Sequence, residues 1–349
     1  MRIFPQVGPL RLVLRLVLLA VAAGVFAFYV PTPYTLNAPG HAEDLSEIVH
    51  VAGKPPSPPG HLYMTTVVHE RANLLFCLYA LMDPEAQLLP AEYSVPRVLP
   101  ARPKGPELPG SFNPENMMAQ SKYIARVQAL RYMGYKLDIE SHGAQVLDFL
   151  DGSRARGKLR RNDVIVGMNG RPIKSVYDLH RILMTKEGGQ DVRLKVTREK
   201  STLVVTVPLM DVHGRALIGI VTQDAVSPVA LPVAIEIATH NVNGASAGLM
   251  FTLAILDQML PQGLARGQRI AGTGTMSLHG DVGPIEGVRL KVIAAERAGA
   301  EIFLAPVDNA NEASAAATKL KIIPVETLQD AVKQLGGPPP EPPGSAGKS

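Results

Sequence analysis

The sequence lacks most of the features that announce a binding chemistry. One cysteine, Cys77, stands among 349 residues, which excludes an intrachain disulfide and any cysteine-based zinc cluster. Neither sign of charge prevails: 35 Lys and Arg against 31 Asp and Glu leave a formal +4. The basic residues are scattered apart from two short sites, so nucleic-acid binding is not indicated. His69-Glu70 opens an H-E-x-x-H pattern, but Asn73 takes the place of the second histidine, and no metal is expected. Gly152–Lys158 has the G-x-x-x-x-G-K spacing of a phosphate loop, yet Leu159 stands where a Ser or Thr must hold magnesium. No cofactor is expected either. Leu74–Met82 is too short to span a bilayer and reads as buried core.

What is present is core-forming material. Hydrophobic residues make up 46% and charged residues 19%, and the length predicts two or three folded units. Leu10–Val30 is uncharged after Arg15 and roughly meets the about 20 residues a spanning helix needs. Arg2, Arg11 and Arg15 precede the run and no basic residue follows closely, so the N-terminus is expected in the cytoplasm and the bulk outside. A cleaved signal peptide is the competing reading, but Ala20–Ala22 lies inside the apolar run rather than after it.

The expected organisation is an α+β multidomain chain. Residues 1–31 hold the cytoplasmic N-terminus and transmembrane helix. Residues 32–120 are a Pro-rich extracytoplasmic segment with short strands, one helix from about Glu70 to Met82, and a loop bounded near Asn113–Glu115. Residues 121–212 are a β-rich domain with a preceding helix, Met117–Gly134. Its cues are strands Gln145–Leu150 and Asp163–Met168, a hairpin at Asn169-Gly170, and a capping box from Ser175 to Asp178 opening the helix Val176–Met184. Strands Val192–Thr197 and Leu203–Leu209 complete it. Residues 213–337 alternate strands with longer helices. Strands are expected at Ile218–Thr222, Val233–Thr239, Ile270–Leu278, Glu301–Ala305 and Ile322–Val325. Helices are expected at Ser246–Leu260, Gly287–Ala298 and Asn311–Leu320, with a last one capped by Thr327. The end, residues 338–349, reads as a disordered tail.

GSRARGKLRRNDVIVGMNGRPIKSVYDLHRIL resembles the core of a PDZ domain over about residues 134–210. The resemblance implies that an extended peptide adds as a strand beside a helix. The positions that match the peptide-binding loop and strand are Gly143, Ala144, Gln145 and Val146.

Asn243-Gly244-Ala245-Ser246-Ala247-Gly248 places a serine at the start of an apolar helix. Free backbone N–H groups and the positive dipole end converge there, where they can stabilise an oxyanion. Small neighbours let a substrate backbone approach. By itself Ser246 also fits a plain N-cap. Lys291 adds a second signal: on a helical wheel it has Val288, Ala294, Ala295 and Ala298 around it, while Arg289 and Glu296 fall opposite. A lysine so placed is desolvated and deprotonates near neutral pH, unless it snorkels out along the alanines. A neutral lysine is a competent base for a serine hydroxyl.

Ordered blocks support a resemblance over about residues 218–335: Gly244–Gly248, Thr273-Gly274, Leu278-His279-Gly280, Gly283–Lys291 and Ala294–Gly299. They are similar to the proteolytic domain of Lon-type proteases, an α/β domain. The resemblance implies that Ser246 is the nucleophile, Lys291 its base and Thr273 a support for the lysine. The amides of Gly244, Ala245 and Ser246 are then the oxyanion site. Ala245 replaces the family's usual Pro, and Thr275 replaces an acidic residue. With anchor and PDZ domain, the arrangement is similar to bacterial membrane-anchored PDZ peptidases. Cytosolic Lon proteins carry an ATPase motor. This chain shows no Walker motif, so the resemblance implies an ATP-independent endopeptidase acting on unfolded or extended polypeptides, and a homo-oligomer. The alternative is a membrane-tethered PDZ scaffold with an inactive Lon-like domain. Gly244–Gly248 also fits the G-x-S-x-G elbow of α/β-hydrolases, with Asp257 and His279 following. However, Asp257 lies about 16 Å along the same helix, which disfavours a triad.

Overall fold

A computed structural model describes residues 9–90, 114–150, 152–212, 214–227, 229–239, 242 and 244–346, with side chains of residues 9–12 and 114–116 left aside. The proline-rich loop expected at 96–110, Asn113 and Asn243 lie outside the described residues. The chain opens with α1 (Pro9–Tyr29), β1 (Pro31–Asp44), β2 (Val49–Val51), β3 (His61–Asn73), α2 (Leu74–Met82) and β4 (Gln87–Pro90). Then come α3 (Pro114–Tyr132), β5 (Ser141–Phe149), β6 (Val164–Met168), β7 (Arg171–Pro172), α4 (Val176–Leu183), β8 (Asp191–Arg198), β9 (Ser201–Pro208), β10 (Met210–Val212), β11 (Arg215–Leu217) and β12 (Ile220–Val226). The last stretch is β13 (Ile235–Ile237), α5 (Gly248–Met259), β14 (Arg269–Gly272), β15 (Thr275–Met276), β16 (Val282–Gly283), α6 (Val288–Arg297), β17 (Ile302–Pro306), α7 (Ala310–Ala316), β18 (Lys321–Val325) and α8 (Leu328–Gln334).

Two compact units emerge. The first takes the described residues up to 39 together with 67–90; the second takes 40–66 and everything described from 114 onward. In the first unit, β1 pairs antiparallel with β4 through Tyr34↔Pro90 to Asn37↔Gln87. Asn73 caps α2 by accepting from the Phe76 N–H at 2.9 Å. None of the residues of α2 is buried, and Leu81 and Met82 are 81% and 86% exposed. The expectation that Leu74–Met82 is buried core is therefore wrong. The segment is apolar all round and has no polar face to direct it into a core. Cys77 is half-buried, its Sγ 3.6 Å from the Thr32 hydroxyl. Among the described residues no helix is long and apolar enough to cross a membrane, so the spanning helix expected at Leu10–Val30 is not found.

In the second unit, β18, β17, β14 and β3 pair in parallel, with Phe303↔Ile322, Ala271↔Phe303 and Ala271↔Tyr63 in register. Residues 61–64 thus sit inside this sheet, although the sequence placed them in a separate Pro-rich segment. Proline and glycine precede these residues, but the strand itself is a run of Leu62, Tyr63 and Met64, suited to a sheet covered on both faces. Helix α5 is buried on every side. It packs with α3, and Ile124, Val127 and Leu130 share one core with Leu249, Phe251 and Leu253. The strand pair expected across Ile270–Leu278 divides: β14 joins the large sheet, while β15 pairs with β16.

A second sheet has the order β12-β5-β6-β8-β9, with β7 beside β6, around a core that includes Ile165, Leu194 and Val207. Asn169 and Gly170 both have positive φ, 50° and 83°, as a type I′ hairpin requires. Ser175 and Asp178 form the expected reciprocal capping box at α4. The tail expected to be disordered is instead docked as far as Ala346 is described. The Tyr132 hydroxyl donates to the Pro338 carbonyl at 2.7 Å, and the N–H groups of Glu341 and Gly344 donate to the carbonyls of Tyr132 and Gly134. Proline-rich chain of this kind needs no internal hydrogen bonds and here uses the carbonyls left open at the end of α3.

Met64 is 1% exposed within the large sheet. Met64→Ala is expected to destabilise this unit by about 2–5 kcal/mol, read by denaturant unfolding.

Candidate active site

Three segments converge on one hydroxyl. The turn carrying Ser246 precedes α5, whose N-cap is Ala247; Ser246 therefore stands just outside the helix, not on it. The turn is anchored by its carbonyl: Ser246 accepts from the Gly274 N–H at 2.8 Å and from the Thr273 hydroxyl at 3.0 Å. Glycine is needed where α5 meets the strands. A Cβ on Gly248 would come within 3.0 Å of the Met276 nitrogen, and one on Gly274, at φ +151°, within 2.7 Å of Val282. The turn is also held from α3, where the Ser121 hydroxyl donates to the Ala245 carbonyl at 3.3 Å.

Lys291 approaches from α6, whose start is set by Gly287 in the left-handed conformation. Ahead of that start, buried Asn309 clamps Ile285, accepting from its N–H at 2.9 Å and donating to its carbonyl at 3.0 Å. The Lys291 side chain is 4% exposed. Its Nζ lies 2.6 Å from Ser246 Oγ and 3.0 Å from Thr273 Oγ1. Burial holds the amine down from 10.5 to about 7, because a desolvated ammonium is disfavoured. The neutral amine has two N–H groups and a lone pair. With the Thr273 hydroxyl committed as donor to Ser246 O, Nζ donates to Thr273 and turns its lone pair to the serine proton. This geometry can ionise a hydroxyl without histidine or metal. Ser246, Lys291 and Thr273 are thus brought together, with Gly244 and Ala245 in the adjoining turn.

Other candidates are not brought together. Asp257 accepts from the N–H groups of Leu264 and Ala265 at 2.6 and 3.0 Å, which makes it a loop clamp within the fold. Gly143, Ala144, Gln145 and Val146 lie on β5, and β5 is paired on both edges. Ala144 registers with Ile165 on β6 and with Asp224 on β12, and Val146 registers with Thr222. A Cβ on Gly143 would come within 2.5 Å of the Ile165 carbonyl. These four positions cannot receive an added strand. The terminal strand of this sheet is β12, which faces α4 across a cavity of about 180 Å³. The cavity is lined by Val176, Tyr177 and His180 from α4, by Thr222 and Asp224 from β12, and by Ala245 and Thr275 beside the serine. Sequence reading missed it because β12 follows the hairpin strands after an intervening β10–β11 ribbon, and its residues read as the start of the next domain. Buried Asp224 accepts from the Val176 N–H at 2.6 Å and joins β12 to α4. Burial pushes its carboxyl up to about 6, against the pull of that N–H.

Residues 230–335 match the Lon protease (S16) C-terminal proteolytic domain, and residues 132–209 match the PDZ domain. A Lon protease of Chloroflexus aggregans is 34% identical over 92 residues, covering 25% of this chain and 11% of that protein. An archaeal Lon protease of Archaeoglobus fulgidus is 29% identical over 99 residues, covering 28% and 16%. Among solved structures, the PDZ domain of an SdrC-like protein from Listeria monocytogenes is 22% identical, covering 25% of this chain and 93% of that one, with a TM-score of 0.23. The chain thus spans only a small part of the curated relatives it matches.

Lys291 bears on stability with a definite sign. Its amine binds a proton less readily folded, at about 7, than unfolded, near 10.5. Folding is therefore penalised increasingly as pH falls from about 10.5 to about 7, and by a constant amount below. Lys291→Met is expected to melt at higher temperature than the wild type, with a gap that widens over that interval, checked by thermal melts across pH. The chain joins a PDZ domain to a Lon-type proteolytic domain.

Proposed function

We propose that the protein is an ATP-independent serine endopeptidase that uses a Ser246–Lys291 dyad on unfolded or extended polypeptides. The observation that carries this reading is the 2.6 Å contact between a buried lysine Nζ and Ser246 Oγ. Lys291 takes the hydroxyl proton as Ser246 attacks the scissile carbonyl. The N–H groups of Gly244, Ala245 and Ser246 receive the developing oxyanion. The lysine then protonates the leaving amine, deprotonates a water, and the water releases the acyl-enzyme. Thr273 keeps the amine aimed at the serine. No step draws on a metal or a nucleotide.

Substrate recruitment by the PDZ domain, through strand addition, belongs to the same proposal, at the β12–α4 cavity instead of the β5 positions. Membrane attachment is proposed on the apolar, largely exposed face that α1 presents from Leu16 to Phe28, with Arg11 and Arg15 toward its start. On this reading the N-terminus is cytoplasmic, the bulk is extracytoplasmic and the protein is a homo-oligomer. The short dyad contact favours a peptidase over an inactive tethered scaffold.

Ser246→Ala and Lys291→Ala are each expected to lower hydrolysis of an unfolded casein-type substrate by about a thousandfold or more. The wild-type rate is expected to rise with pH through about 7 as the amine loses its proton. A wild type no faster than both variants contradicts the proposal.

A further inference from the structure

An oxyanion site works best when its N–H groups are aimed before charge develops. In the turn that carries Ser246, that aim is set through a carbonyl. A trans peptide is planar, with its C=O and N–H pointing opposite ways. Whatever holds the Ala245 carbonyl therefore also directs the Ser246 N–H. Two donors hold it: the Gly248 N–H at 3.3 Å and, from α3, the Ser121 hydroxyl at 3.3 Å. Both bonds are long. One such contact leaves the peptide free to rock about it, whereas two fix its plane. Among the described residues no acceptor takes the Ser246 N–H, so it is available to a ligand. The turn has little stiffness of its own. Gly244 has φ +100°, with open space where a Cβ would stand, and Ala245 has no ring to fix its φ. Helix α3, in contrast, is firmly seated. It shares a core with α5, and Gln128 and Arg131 tie it to the loop between β15 and β16. Ser121 is 5% exposed, and Gly248 makes its approach possible: a Cβ there would stand 3.1 Å from Ser121 Oγ. Ser121 lies outside the residues that match either domain family.

Resting on the peptidase reading above, we propose that Ser121 is a positioning residue for the reaction: its hydroxyl holds the Ala245–Ser246 peptide so that the Ser246 N–H faces the oxyanion formed at the scissile carbonyl. Ser121 acts through that peptide. It bears on the transition state, and neither on substrate affinity nor on the proton transfer to Lys291, whose own contacts are to Ser246 Oγ and Thr273 Oγ1.

The test compares the full chain with its Ser121→Ala variant on an unfolded casein-type substrate. The donor is misaimed rather than removed, and outright removal of one costs roughly a hundred- to a thousandfold. The expected loss in kcat is therefore about tenfold, with KM unchanged. The pH at which the rate rises is expected to stay at about 7, because Lys291 is untouched. A peptide boronic acid, whose tetrahedral adduct on Ser246 mimics the oxyanion, is expected to bind the variant about tenfold more weakly. The same peptide ending in a primary amide is expected to bind both proteins equally. Ser121→Cys nearly keeps the volume and weakens the donor; it is expected to show the same split and decides the matter if Ser121→Ala does not fold. An unchanged kcat, a change in KM alone, or a shifted pH midpoint overturns the role of Ser121 and leaves the peptidase reading intact. A wild type that neither cuts the substrate nor forms the boronate adduct on Ser246 overturns the peptidase reading, and the role of Ser121 falls with it.

Discussion

Burial of a single amine governs the site. Lys291 is enclosed on α6, and among the described residues its polar contacts are to Ser246 Oγ and Thr273 Oγ1. Water is the usual stabiliser of an ammonium; without it the neutral form becomes accessible near physiological pH. The rest of the second unit serves that enclosure. Gly287 and Asn309 set where α6 begins, Gly248 and Gly274 let α5 close against the strands, and α3 seals the flank. The arrangement works against stability, as reactive sites commonly do.

Helix α3 links the two folded parts of this unit more than its place in the chain implies. Its core face packs with α5. Its polar residues reach the serine turn and the β15–β16 hairpin: Ser121 holds Ala245, Gln128 donates to the Ser277 carbonyl and Arg131 to that of Leu278. Gln120 also donates to the Asp224 carbonyl on β12 at 2.7 Å. One helix thus touches the serine turn and the strand at the edge of the second sheet.

Much of this was legible from local pattern. Lys291 amid alanines and valines marks a buried charge, because the helical period puts Arg289 and Glu296 on the other face. Asn169-Gly170 and the Ser175–Asp178 box gave a hairpin and a helix start through short-range geometry alone. Failures came where pairing is non-local. Gly143–Val146 resembled a ligand strand, but only the return of β12 shows that their edge is already filled. Tyr63 and Met64 follow directly on a proline- and glycine-rich stretch, and nothing local says that their strand joins one some 200 residues later. The tail looked unable to pack because prolines lack N–H donors, yet its carbonyls and few amides suffice to dock on Tyr132 and Gly134. In α2 the error was different: apolar composition without an amphipathic face does not say what covers the helix.

The central claim concerns the ionisation of one side chain, and it is tested most directly by following the lysine Nζ resonances through a pH titration, with Lys291→Arg to assign the signal. One resonance titrating at about 7 and missing from the variant is the predicted result. If every lysine titrates near the ordinary 10.5, the amine beside Ser246 is charged at neutral pH and the account is contradicted.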